Sequence, residues 1–155
     1  ETFGTVETVD RNWPGVNQFT GWDNQTFTFT DNYLSTTYSY ASVRTTSALD
    51  SHVWFAANKN AGLKISGFST SGYTNLKLSY SIAANVKSVD QNVIQVKCDS
   101  TVMTVPSVSI PATNLYQTVE LSNVPVNTTS IEFISSATTN TAGYRIDNVK
   151  LVGTK

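Results

Sequence analysis

The chain has 155 residues, a net charge of −1 and 14% charged residues, the length of one domain with a single substantial core. That charge lacks the clustered basic field nucleic acid requires and gives no electrostatic reason to bind a membrane. No run approaches the roughly 20 apolar residues of a spanning helix, and no basic-plus-apolar leader stands at the N-terminus, although a mature chain would have lost one. A monomer that binds neither nucleic acid nor membrane is expected.

Threonine, serine and asparagine are abundant, and tyrosine matches phenylalanine at seven each. Such residues suit pleated, half-buried surfaces, and helical Ala-Glu-Lys-Leu stretches are missing. Cys98 is the only cysteine, so no internal disulfide can form; in Val93-Ile94-Gln95-Val96-Lys97-Cys98 it reads as a small buried hydrophobe.

In chain order, residues 2–7 read as a first strand. A loop follows, turning at Pro14-Gly15, then a second turn at Gly21-Trp-Asp-Asn. In Gln25-Thr-Phe-Thr-Phe-Thr, Phe27 and Phe29 share a strand face. Residues 31–37 are polar and read as irregular. Tyr40-Ala-Ser-Val-Arg-Thr-Thr and Val53-Trp-Phe-Ala read as strands, and Asn58-Lys-Asn-Ala-Gly62 as a turn. Leu63 and Ile65 share a face. Leu76, Leu78, Tyr80 and Ile82 alternate against Lys77, Ser79 and Ser81. Ile94, Val96 and Cys98 repeat the pattern, and Asp99-Ser100 turns into Val102-Met-Thr-Val. Pro106 and Pro111 bracket an irregular piece, because neither can donate to a central ladder. Residues 116–121, 131–134 and a closing strand over 143–153 complete the series. Many short strands joined by turn residues indicate an all-β, two-sheet antiparallel β-sandwich.

The closing strand contains a phase break. Tyr144 and Ile146 alternate on one face, as do Val149 and Leu151, but the two pairs are out of step. One extra residue is required between them, which predicts a β-bulge at Asp147-Asn148. Such a strand is expected to lie beside the chain start at Glu1-Thr-Phe-Gly.

Catalysis finds little support. His52 is the only histidine; it sits beside Asp50 and Ser51 in an expected loop, whereas catalytic triads converge from distant segments. The eleven acids (Glu1, Glu7, Asp10, Asp23, Asp31, Asp50, Asp90, Asp99, Glu120, Glu132, Asp147) are dispersed. Nucleophile-elbow, phosphate-loop and HExxH motifs are absent. The module is read as non-catalytic, with a glycan-active enzyme as a candidate for the parent protein. Calcium fits better, since it takes oxygen ligands without a fixed sequence spacing. Adjacent first and last strands would let Glu1 and Asp147 meet; alternatively Asp147 caps the bulge or pairs with Arg44 or Arg145.

Aromatic side chains give the other lead, since Tyr and Trp join an apolar face to a polar handle. Trp13, Trp22, Tyr33, Tyr38, Tyr40 and Tyr73 lie in or near turns and irregular segments and are candidate ligand contacts. Trp22 could instead plug one end of the sandwich, and Trp54 reads as core. Arg44, pointing opposite Val43, is either a ligand donor or the partner of a buried carboxylate such as Asp23 or Asp147.

Glu1-Thr-Phe-Gly-Thr, Phe19-Thr-Gly-Trp-Asp-Asn24, Ala41-Ser-Val-Arg-Thr-Thr-Ser47, Val53-Trp-Phe, Ile65-Ser-Gly-Phe-Ser-Thr-Ser-Gly-Tyr-Thr-Asn-Leu-Lys-Leu-Ser-Tyr80 and Tyr144-Arg-Ile-Asp-Asn-Val together resemble β-sandwich accessory domains of secreted Bacteroidota proteins. These are similar to jelly-roll carbohydrate-binding modules with a galactose-binding-like fold. The resemblance spans nearly the whole chain and implies one jelly-roll module over residues 1–155, cut from a larger secreted or cell-surface bacterial protein. Its implied role is to hold an attached enzyme or surface protein near a polysaccharide or oligosaccharide, with neighbouring domains as further partners. It also implies a structural Ca2+ held by Glu1 and Asp147. The alternative is a structural, protein-interaction or adhesion sandwich without a glycan ligand.

Overall fold

The computed structural model describes residues 1–3, 13–33, 39–45, 51–86 and 93–155. Its strands are β1 (Thr28–Thr30), β2 (Ala41–Thr45), β3 (Ser51–Phe55), β4 (Ala61–Ser66), β5 (Thr74–Ala84), β6 (Ile94–Cys98), β7 (Thr101–Val102), β8 (Gln117–Ser122), β9 (Ser130–Ser135) and β10 (Tyr144–Thr154). They form two five-stranded sheets, ordered β1-β4-β9-β6-β7 and β2-β3-β10-β5-β8. Every pairing within them is antiparallel. The architecture is a β-sandwich of the jelly-roll type. Residues 4–7 of the expected first strand and 34–37 of the irregular segment lie outside the described residues.

Period-two alternation decides what fills the space between the sheets. From the second sheet come Val43, Val53, Phe55, Leu78, Tyr80, Ile82, Tyr144 and Ile146; Leu63, Ile65, Ile94, Val96, Ile131 and Phe133 come from the first. Tyr80 meets Phe133 edge to face at 4.9 Å, one contact that ties the two layers together. Each large apolar side chain so buried contributes roughly 1.5–3 kcal/mol. Cys98 is buried as expected, and burial, reinforced by Asp99, pushes its thiol up to about 11.

The bulge sits where the phase break placed it. Asp147 pairs with Ser81 and Lys150 with Ser79, so β10 advances three residues while β5 advances two. Asn148 takes the left-handed conformation at φ 52°. The extra residue returns Val149 to the interior, where it is buried.

The chain start runs beside β10, just past the point where β3 stops at Val53–Ile146. The Glu1 main-chain nitrogen donates to Val149 O at 2.7 Å, and Val149 N returns a bond to Glu1 O at 3.0 Å. The Glu1 carboxylate accepts from three main-chain amides: Oε1 from Phe3 and Asp23, and Oε2 from Asn24, each at 3.0 Å. Phe3 is fully buried at φ 59°, a conformation that costs an L-residue about 1–2 kcal/mol. The Glu1 bond and the burial of its ring hold it there.

Other bends are set by asparagine or aspartate in the same region: Asn58, Asn75, Asp99, Asn114, Asn123 and Asn127. At Asp99 burial works against the charge, but hydrogen bonds from Thr129 and Ser130 prevail and hold the carboxyl below its usual range.

Two expectations are corrected. His52 lies in β3 rather than a loop and is buried, because β3 begins at Ser51. Trp54 is not core: Val53 and Phe55 take the interior positions, which turns Trp54 to the outer face, where it stays partly exposed.

Replacing Glu1 with Ala removes the acceptor for three amides and the restraint on Phe3. The expected cost is about 2 kcal/mol, lowering the melting temperature by roughly 4–8 °C. Calorimetry of Glu1→Ala beside Glu1→Gln checks this, and the Gln variant should lose less.

Candidate functional site

The residues that keep the interior apolar also decide what the second sheet shows on its other side. With Val43, Val53, Phe55, Tyr144 and Ile146 inside, alternation puts Ser42 and Arg44 of β2, His52 and Trp54 of β3, and Arg145 and Asp147 of β10 on the outer face. Strand register makes them neighbours. Ser42 is opposite Trp54 and Arg44 opposite His52, while Arg145 is opposite Trp54 from the other side.

Trp54 is the centre of this group. A Cβ on Gly143, which sits at φ 75°, would come within 2.3 Å of the indole Cη2; only the missing side chain lets the ring lie there. Two guanidinium groups flank the indole, with Arg44 Cζ 4.9 Å and Arg145 Cζ 4.8 Å from the ring centroid. Each such contact is favourable because the ring face carries negative quadrupole density.

The remaining partners of the two arginines are neutral. Arg44 Nε donates to Ser42 Oγ at 3.0 Å, and Arg145 Nη1 donates to Asn114 Oδ1. Arg145 Nε is buried without an acceptor among the described residues. Burial and then the charge of Arg145 lower the Arg44 pKa. Burial lowers that of Arg145, opposed by Tyr116.

His52, opposite Arg44 in register, is 3% exposed, with neither ring nitrogen hydrogen-bonded among the described residues. Burial first, then Arg145 and Arg44, push its pKa down to about 3. The imidazole is therefore neutral throughout the physiological range. It offers one donor and one acceptor nitrogen.

The chemistry assembled is a partly exposed indole ringed by fork-shaped N–H donors. The part of the ring left exposed can touch the C–H surface of a sugar while the guanidinium edges address its oxygen atoms.

The sequence candidates divide. Arg44 points opposite Val43 as expected, but it lies on Trp54 rather than on Asp23 or Asp147. Asp23 accepts instead from the Thr2 N–H and hydroxyl, and Asp147 from the main-chain and side-chain amides of Asn148. Gly15 bridges Ser42 and Val43 N–H donates to Pro14 O, which brings this segment beside β2; Trp13 itself is partly buried and packs against the core.

Trp22 is corrected to core. It is 8% exposed, stacks on Phe29 at 4.0 Å and 11°, and meets Phe19 and Phe3 edge on. Buried this far, with one face on Phe29, the ring is taken up by the core rather than offered to a ligand.

Tyr40 sits under Lys59 Nζ at 4.7 Å. Tyr33 is exposed over Gly62, with its phenol raised by burial and then by Glu132 and Asp31. Tyr73 lines a separate cleft of about 620 Å³ with Phe27, Phe68, Leu76 and Val152. These three do not converge on Trp54, and Tyr38 lies outside the described residues.

Glu1 and Asp147 are drawn to the same stretch of β10 by the Glu1–Val149 pairing. Four main-chain amides and the Asn148 side chain already donate to the two carboxylates. A cation there would have to compete with those donors. Among the described residues, no three acidic, histidine or cysteine side chains gather as a metal cluster.

Sequence reasoning missed Trp54 and Arg145. The signal was present: Val53 and Phe55 flank Trp54, and Tyr144 and Ile146 flank Arg145, so strict alternation puts both outside.

No family model and no curated protein matches the chain, but solved structures do. A family 29 carbohydrate-binding module in complex with mannohexaose is similar at a TM-score of 0.53 and 13% identity, over 91% of this chain and 87% of that one. The C-terminal family 6 module of a marine laminarinase from Zobellia galactanivorans also gives 0.53, at 16% identity over 81% of this chain and 99% of the other. A family 29 module from Piromyces equi gives 0.52 at 6% identity, over 85% and 83%. At these identities the likeness is one of fold: the chain is folded as the jelly-roll sandwich from which carbohydrate-binding modules are built.

Proposed function

We propose that the chain is a non-catalytic carbohydrate-binding module, and that glycan is taken on the outer face of the second sheet at Trp54. The observation that carries this reading is the partly exposed indole held between Arg44 and Arg145. It puts the exposed part of an apolar ring and hydroxyl-reading donors in one place. The structural neighbours support it, since those named are glycan-binding modules of the same fold. In the larger protein the module would keep an attached catalytic or surface domain near polysaccharide, at the cell surface or outside the cell. No helix among the described residues is long and apolar enough to cross a membrane.

Affinity electrophoresis against a polysaccharide panel tests the reading. Trp54→Ala should weaken binding by about 2 kcal/mol, roughly thirtyfold in Kd. Because Trp22 is core, Trp22→Ala should lower the melting temperature instead. Loss of binding in the Trp22 variant with none in a folded Trp54 variant would place the ligand elsewhere and defeat the assignment.

Calcium is a separate proposal within this reading. An ion at Glu1 and Asp147, completed by main-chain carbonyls, would raise the melting temperature in Ca2+ over EDTA but not in Mg2+, whose stricter geometry suits such a site poorly. Identical melts in all three would remove it.

The buried histidine gives a pH signature. Between its ordinary value of 6.5 and its folded value of about 3, the unfolded chain binds a proton that the native chain does not. Native stability therefore falls as pH drops through this window. From pH 7 to pH 5 the loss from this group is about 2 kcal/mol. Urea titrations of wild type and His52→Gln check it: the variant should lack this part of the decline.

A further inference from the structure

We infer that the glycan taken at Trp54 is anionic, carrying carboxylate or sulfate groups that pair with the guanidiniums of Arg44 and Arg145. This rests on the carbohydrate-binding reading and adds the chemical class of the ligand. Both guanidiniums lie within 5 Å of one indole centroid, yet their hydrogen-bond partners are a serine hydroxyl and an asparagine amide. Two cations gathered on one ring in partial burial repel each other. Proteins ordinarily offset such a cost with a carboxylate, and among the described residues neither arginine has one. Asp147, two residues along the same face of β10, is bonded to Asn148.

Independent of the arginines' charge, buried polar atoms beside them stand unused. Among the described residues Arg145 Nε lacks an acceptor, and His52, only 3% exposed, has two unpartnered nitrogens. A neutral sugar would supply hydroxyls to these donors but leave the repulsion in place. An ionised oxygen pair answers both, because a planar guanidinium fork matches carboxylate or sulfate in two parallel bonds about twice as strong as neutral ones. The positive site is local: the chain as a whole carries −1, so attraction of an acidic polymer cannot come from bulk charge.

The test is affinity electrophoresis of the folded chain in polygalacturonate, in its methyl-esterified form, in a sulfated galactan and in neutral glucomannan. Retardation by an acidic polymer is expected, reduced in 0.5 M NaCl. It should be weakened about tenfold or more by Arg44→Ala and by Arg145→Ala. Arg44→Lys and Arg145→Lys keep the charge and lose the fork, so they should recover binding only in part; near-UV circular dichroism verifies their fold. Lys77→Ala removes the same charge six residues along β5 from the Ala83–Arg145 pair and should change nothing. Binding to polygalacturonate but not its ester assigns a carboxylate; binding to the galactan alone assigns a sulfate. Trp54-dependent binding of glucomannan that ignores both arginines overturns the anionic assignment and leaves the module reading standing. No retardation by any polymer overturns both.

Discussion

The constraint on which this sandwich depends is the change of phase inside its last strand. β10 is hydrogen-bonded to β5 along its length, to β3 only at its beginning and to the chain start after the bulge. Without the extra residue at Asp147-Asn148, either Tyr144 and Ile146 or Val149 would face solvent, since a shift of one residue exchanges the two faces of a strand. With it, both halves contribute to one interior. The first half of β10 then keeps Arg145 outward against Trp54, and the second half docks Glu1. Core and candidate site are thus settled by the same irregularity.

How far the sequence discloses this depends on the range of the interactions involved. The bulge was legible because hydrophobic phase is a local property. So were the inner faces of β4, β5 and β6, where Leu63, Leu76, Tyr80 and Val96 alternate with polar residues. The rings were harder. Trp22 stands in a turn and looks available, but it is consumed by Phe3, Phe19 and Phe29, whose approach is decided by the fold rather than by neighbours in the chain. Trp54 erred the opposite way. Its apolar neighbours suggested burial, whereas their alternation demanded exposure. The pairing of Arg44 with Arg145 joins residues 101 positions apart, and no local pattern announces it.

The electrostatics of the outer face run against ordinary fold stabilisation. A neutral buried histidine neighbours two cations that share one indole, and none of these groups belongs to the apolar core. Local sacrifices of this kind are expected where a surface is kept for a partner rather than for the chain's own stability. The fold fixes none of this by itself, because the same sandwich serves many ligands. On the proposed reading, specificity would reside in the few side chains that β2, β3 and β10 turn away from the interior.

Asn114 carries a consequence beyond its hydrogen bond. It occupies the left-handed region at φ 60°, and its main-chain N–H is anchored to Ala84 O at 2.9 Å. A glycine would reach the same conformation, but with far greater freedom in the unfolded chain and no side chain to offer. The asparagine therefore sets the loop's shape and aims the amide that steadies Arg145 before any ligand arrives. The entropy of fixing that long side chain is surrendered during folding, so less of it remains to oppose association. On the proposed reading, a rim built on such a bend would behave as a template already cast rather than a surface that must close around its guest.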